Sequence, residues 1–192
     1  MLVACSSPRP PGTPGSPGTG PRRPVLSSRG ITVALVEQPW RVAGGVRGTD
    51  NSSLDTAWRA VWPRLAAEGV PVIAGGRSVG SRVAARTAVE LGAHAVAALS
   101  FPLHGFGRPD DMWDYGELFD TGLPTLVVQG GEDPFGKPAA FPPLPPFASL
   151  VEIPGADHVF AVPRDQDRAL ALITDTVADW VLSLGGSAPA HR

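Results

Sequence analysis

The chain has 192 residues, with sixteen Lys and Arg against eighteen Asp and Glu, four His and one Cys, for a formal net charge of −2. That length suits one domain able to bury about 70% of its unfolded surface, and the near-balanced charge leaves no footprint for nucleic acid. The lone Cys5 excludes an internal disulfide and a CxxC zinc site, and apolar runs such as 95–99 fall far short of the ~20 residues of a membrane span, so a soluble, cytoplasmic protein without membrane contact is expected.

Taken in chain order, residues 6–24 (SSPRPPGTPGSPGTGPRRP) contain no aromatic and no branched aliphatic residue. They cannot bury enough apolar surface to offset chain entropy, and residues 1–28 are expected to be a disordered Pro/Gly-rich tail. Leu2-Val3-Ala4-Cys5 has the look of a bacterial lipobox, but only Met1 precedes it, where a leader needs a basic and then an apolar segment. Fifteen arginines to the single Lys137 read as a coding bias rather than as chemistry.

From residue 31 the texture changes, and residues 29–185 read as the folded domain. Ile31-Thr-Val-Ala-Leu-Val36 is a strand buried on both faces. Residues 51–68 predict a helix capped by Ser53 or Asp55, with Leu54, Trp58, Val61, Trp62 and Leu65 on one face and Pro63 expected to kink or divide it. A strand over 70–74, a small-residue helix over 79–91 ending at Gly92, and strands over 95–99, 125–129 and 150–153 follow. A closing amphipathic helix over 165–184 runs into Gly185-Gly186, and 186–192 reads as a flexible tail. Alternating strands and helices predict an α/β fold, a three-layer α/β/α sandwich around a mostly parallel sheet.

The stretch Gly75-Gly76-Arg77-Ser78-Val79-Gly80 contains G-x-S-x-G between a predicted strand and a predicted helix. In that context the pattern describes a nucleophile elbow: a strained turn pushes the Ser78 hydroxyl out of the sheet, and glycines keep the neighbouring backbone clear. The helix N-terminus also aims the Val79 N–H at a developing oxyanion. A dinucleotide loop would need glycine where Arg77 stands, and no G-K-[ST] follows. A tight turn without chemistry is the plain alternative.

Candidate partners follow in the order such a hydrolase requires. Asp133 lies in a loop just past the 125–129 strand, with Glu132 beside it as an alternative acid, and His158 just past the 150–153 strand. Ser78 would attack, His158 would take its proton, and the acid would orient the imidazolium. Asp157 reads as a turn-capping residue. His94 precedes a strand and His191 lies in the tail, whereas His104 follows a strand and is a pocket residue or a loop histidine. An open site is expected near Phe101, Phe106, Trp113, Phe135 and Phe160, aromatics that ordinary packing would equally explain. Arg77 is an anion contact or a solvated side chain. No pair has metal-ligand spacing such as H-x-x-x-H, so neither metal nor cofactor is expected.

These residues carry a resemblance. From about 29 to 184 the chain resembles the small α/β-hydrolase-like domain of the dienelactone-hydrolase type. More narrowly it is similar to the branch shared by uncharacterised bacterial proteins, testis-expressed protein thirty and subunit three of the eukaryotic NSL acetyltransferase complex. The matching segments are Glu37-Gln-Pro-Trp40, Gly75-Gly-Arg-Ser-Val-Gly80, Phe101-Pro-Leu-His104, Val128-Gln-Gly-Gly-Glu-Asp-Pro-Phe-Gly136 and Gly155-Ala-Asp-His158. The resemblance implies a Ser78–Asp133–His158 triad, which favours Asp133 over Glu132; it says little about substrate, and a small ester or related acyl compound is expected from the chemistry of the triad itself.

Two departures accompany it. Gly105-Phe106 stands where the family usually has two prolines, and Ala4-Cys5-Ser6-Ser7 with the Pro/Gly stretch stands where it has a strand, an H-G-A-G-like oxyanion loop and a helix. The sheet is therefore expected to lack its first strands, with Met1–Ala4 able to add only a few strand residues. Residues 1–28 read as a misread, frame-shifted or truncated start. The competing function is a non-catalytic binding or scaffold module with a crippled oxyanion hole, which would take a protein partner or a ligand.

Overall fold

The computed structural model describes residues 2–6, 23–38, 42, 44, 51–67 and 69–185. Among the described residues, six strands form one sheet: β1 (Leu2–Ser6), β2 (Val33–Glu37), β3 (Ile73–Arg77), β4 (Ala95–Leu99), β5 (Thr125–Gly130) and β6 (Ala148–Ile153). Their order is β2-β1-β3-β4-β5-β6, and every pairing is parallel. The α-helices among the described residues include α1 (Arg23–Ser28), α2 (Asn51–Ala66), α3 (Val79–Ala88), α4 (Gly116–Phe119) and α5 (Gln166–Gly185).

Strand alternation sorts the central side chains into two cores. In β4, Ala95, Ala97 and Leu99 face one side with Leu126 and Val128 of β5, packed against Leu26 of α1 and Ala169, Ile173, Val177 and Ala178 of α5. Val96, Ala98 and Val127 face the other, against Leu54, Trp58 and Trp62 of α2, Val83, Ala84 and Ala88 of α3, and Leu118 of α4. Two covered faces explain why these strands are continuous apolar runs. The expected α/β sandwich is the observed architecture.

The N-terminus differs from the expectation. Leu2–Ser6 forms a full strand between β2 and β3, pairing Leu2 with Val33 on one side and with Ile73 on the other. The sheet does not lack its first strand, because backbone hydrogen bonds to two neighbours need only five residues of extended chain. Arg23–Ser28 is helical, and Leu26 is 1% exposed in the core. Of the expected tail, residues 7–22 lie outside the described residues, as do residues 186–192 at the other end.

Other boundaries move for local reasons. α2 runs through Pro63 without a break, because Leu54, Trp58 and Trp62 hold its buried face and Pro63 itself is exposed. α3 ends at Ala88 and not at residue 91, and the following turn closes on Gly92 at φ 65°. β3 begins and ends three residues later than expected. Its Gly75 and Gly76 pair with Ala97 and Ala98, so sheet pairing overrides the poor strand propensity of glycine.

Candidate active site

β3 delivers the chain to Ser78 and α3 begins at the next residue. Ser78 has φ 55° and ψ −127°, a region a non-glycine residue rarely occupies. The turn is held from both sides. The Ser78 N–H donates to Leu99 O at 2.9 Å, while Ser78 O accepts from the Ser81 N–H at 2.9 Å and the Ser81 hydroxyl at 2.6 Å. Glycine at 76 is a steric requirement, since a Cβ there would lie 2.2 Å from the Gly80 carbonyl carbon and oxygen. The sharp turn and the missing Cβ are thus two sides of one close approach between strand and helix.

A second close approach joins the loops after β5 and β6. A Cβ on Gly130 would lie 2.4 Å from Ala156 O, and the gap it leaves lets Glu132 N donate to Ala156 O at 2.9 Å. Asp157 caps the β6 loop as expected, its Oδ1 accepting from Val159 N at 2.9 Å and Ala161 N at 2.8 Å. His158 is thereby carried over Asp133 on one side and Ser78 on the other.

The three side chains meet in one hydrogen-bonded line. His158 Nε2 is 2.7 Å from Ser78 Oγ, and His158 Nδ1 is 2.8 Å and 3.0 Å from the two Asp133 oxygens. A carboxylate only accepts, so Nδ1 carries a ring proton, and the neutral form of the ring then presents the Nε2 lone pair to the serine hydroxyl. Asp133 is 1% exposed, and its oxygens accept further bonds from Phe135 N and from Gln129 Nε2, each at 2.9 Å. Such an arrangement can move a proton from the hydroxyl to the ring while a buried negative charge balances the imidazolium. Glu132, the alternative acid, is exposed and ion-paired with Lys137.

The remaining expected residues divide. Val79 opens α3, so its N–H has no acceptor one turn earlier within the helix and sits at the positive end of the dipole beside Ser78. Phe135 packs its ring on His158 at 4.3 Å between centroids, and Phe106 packs on Phe135 at 5.6 Å. Phe101 and Phe160 are not pocket residues: each is 0% exposed, Phe101 in the core on one face of the sheet and Phe160 in the core on the other. His104 is buried, with Nδ1 donating to Gly105 O at 2.9 Å. Arg77 ends β3 against Leu99, and burial lowers its guanidinium pKa while the Asp157 carboxylate pulls the other way.

Two residues escape sequence reading. Gln129 lies in the fully buried β5, and its amide ties Asp133 to the backbone of Phe101 and Gly136. An amide side chain closing the apolar run over 126–128 was the available signal. Arg82, one turn after Ser78, donates to Pro102 O and Asp114 O, pairs with Glu117 at 3.0 Å, and lies over the rings of Phe101 and Trp113. It pins the segment between β4 and α4 to the nucleophile helix. Among the described residues, no group of three or more His, Cys, Asp or Glu could hold a metal ion, and no helix is long and apolar enough to cross a membrane.

The sequence profile of the family described as alpha/beta hydrolase domain matches residues 25–184. No curated protein matches the chain. A Xanthomonas campestris protein described as an a/b serine hydrolase without lid superposes with a TM-score of 0.65 at 22% identity, over 98% of this chain and 84% of that one. A Coxiella burnetii alpha-beta serine hydrolase homologue gives 0.62 at 14% identity over 92% and 85% of the two chains. A Paleococcus ferrophilus monoacylglycerol lipase gives 0.62 at 15% identity over 93% and 94%. At these identities the likeness is one of fold.

Proposed function

From the premise that the chain belongs to the alpha/beta hydrolase domain family, we propose that it is a serine hydrolase cleaving a small ester or related acyl compound through an acyl-enzyme. One observation carries the reading: the unbroken hydrogen-bonded line from Ser78 Oγ through His158 to the buried carboxylate of Asp133. In this reading Ser78 Oγ bonds to the carbonyl carbon as its proton passes to His158 Nε2, and Asp133 stabilises the imidazolium. The tetrahedral oxyanion forms beside the Val79 N–H, where the dipole of α3 adds to the hydrogen bond. The ester C–O bond then breaks and Nε2 returns the proton to the leaving oxygen. Water, activated by the same nitrogen, releases the acid and restores Ser78.

The connection from β4 to β5 carries only the four-residue α4, too little for a lid domain, which favours small substrates at an open site. The finer affiliation belongs to the same proposal: the dienelactone-hydrolase-like branch that includes testis-expressed protein thirty, on the segments around Ser78, Asp133 and His158.

Intact-mass analysis after exposure to a fluorophosphonate tests it. A single adduct on the protein, absent from Ser78→Ala, is the expected result. Folded protein that takes no adduct would overturn the reading and leave a non-catalytic module.

A further inference from the structure

The loop after β4 is built, not slack. Trp113 N donates to Leu103 O at 2.7 Å, Leu103 N donates to Phe135 O at 2.8 Å, and His104 bridges Met112 in antiparallel fashion. Two successive turns, Arg108 N to Gly105 O at 3.0 Å and Asp111 N to Arg108 O at 3.1 Å, close its tip. Yet this fixed loop holds Phe106 71% exposed, with Met112 42% and Trp113 39% exposed beside it. Arg108, Asp110 and Asp111 are exposed on the same tip and form a polar rim. An apolar lip with a polar rim on a pinned loop is the composition of a ligand contact, since leaving a phenyl ring in water forfeits its transfer free energy.

The lip leads inward. Phe106 packs on Phe135 at 5.6 Å between centroids, and Phe135 packs on the His158 ring at 4.3 Å. The Phe135 backbone beneath that ring is fixed on both sides, its N–H bonded to Asp133 Oδ1 and its carbonyl to Leu103 N. An aromatic wall therefore runs from solvent to the imidazole. In acyl transfer the imidazole hands its proton to the leaving oxygen, so the alcohol half of an ester starts within hydrogen-bond reach of that ring. The wall nearest the ring is the wall the alcohol meets.

We propose that Phe135 and Phe106 form the alcohol-side subsite, and that the substrate is an ester of an apolar, ring-sized alcohol; this rests on the serine-hydrolase reading above. The acyl group lies on the other side of Ser78 and does not touch this wall. Ethyl acetate and benzyl acetate share an acyl group and have leaving alcohols of similar acidity, so their kcat/KM ratio isolates the alcohol contact. Ethyl acetate against ethyl hexanoate isolates the acyl contact.

The benzyl ester should be favoured on the order of tenfold, the scale of one well-placed apolar contact. Phe106→Ala, a change at an exposed tip, should reduce that preference to about threefold or less without moving the acyl ratio. Leu172→Ala, on the outer face of α5, should move neither ratio. A benzyl/ethyl ratio near one, or a Phe106→Ala effect on the acyl ratio instead, would overturn the subsite. A Ser78 adduct with a flat ratio, or with neither ester turned over, defeats the subsite alone. Absence of both adduct and turnover defeats the hydrolase reading beneath it.

Discussion

Gln129 is the most exacting test of how the site is held. Its Oε1 accepts from Phe101 N at 2.9 Å, and its Nε2 donates to Asp133 Oδ2 at 2.9 Å, to Gly136 O at 2.7 Å and to Phe101 O at 3.3 Å, with Gln129 itself 0% exposed. Gln129→Met keeps the length and removes every one of these bonds. The Phe101 N–H and the carbonyls of Phe101 and Gly136 lose this partner, while Asp133 Oδ2 keeps its bond from His158 Nδ1. At about 1–3 kcal/mol for each orphaned backbone group, the expected loss is about 4–6 kcal/mol. That is a large share of the ~5–15 kcal/mol by which domains are stable, yet leaves room for a folded variant at low temperature. Urea unfolding measures the loss. On the folded fraction, the fluorophosphonate labelling rate should fall by about tenfold or more, because Asp133 no longer has its full set of fixed donors. Gln129→Glu keeps an oxygen for Phe101 N but sets a second carboxylate against Asp133, and should be worse than Met in both assays. A Gln129→Met protein within about 1 kcal/mol of the parent, labelling at the parent rate, would refute the argument.

Other expectations follow from the same geometry. Gly76→Ala forces a Cβ to 2.2 Å from the Gly80 backbone, a contact no side-chain motion relieves, so a loss above about 3 kcal/mol and loss of labelling are expected by thermal unfolding and intact mass. Gly105→Ala meets nothing closer than Trp113 at 3.7 Å and should be neutral or stabilising by up to about 1 kcal/mol. Arg86 bonds Asp55 at 2.6 Å and 3.0 Å and Glu117 at 3.3 Å. Arg86→Met strands the Asp55 carboxylate and leaves Glu117 to Arg82 alone, and should cost about 2–3 kcal/mol in chemical unfolding, less when combined with Asp55→Leu. The hydrogen bond from Arg59 holds the Glu90 carboxyl below its usual range. The pair's contribution is therefore fully present above the ordinary carboxylate pKa and is lost as pH falls through the depressed one. The Tm difference between the parent and Glu90→Gln should shrink and vanish as pH falls through the acid range below the ordinary carboxylate pKa, and high salt should shrink it at any pH.

Much of this protein is local and was legible as such. The uniform apolarity of residues 95–99 and 125–128 announces strands buried on both faces, and one strand cannot be that without helices on each side. G-x-S-x-G needs only its neighbours to specify an elbow, because the clash that makes Gly76 necessary is with a residue four positions away. The chain order of Ser78, Asp133 and His158 follows from strand ends that share one edge of a parallel sheet.

What depended on distant partners was not legible. Leu2–Ser6 is a strand because β2 and β3 leave a slot for five residues of backbone, a fact about its neighbours and not its composition. Phe101, Phe135 and Phe160 are all aromatics in the loops that follow strands, yet two point into opposite cores and one onto His158. Glu132 and Asp133 are adjacent carboxylates, and the carbonyl of Ala156, closing on Gly130, decides which one faces the imidazole. Gln129 acquires its role only when three separate backbone segments converge on one amide. The sequence by itself determined the layers, the elbow and the order of the site residues, because those rest on periodicity and contacts within a few residues. The tertiary structure alone decided which side chains share the site, because that is settled by packing between loops whose ends lie 25 and 80 residues apart.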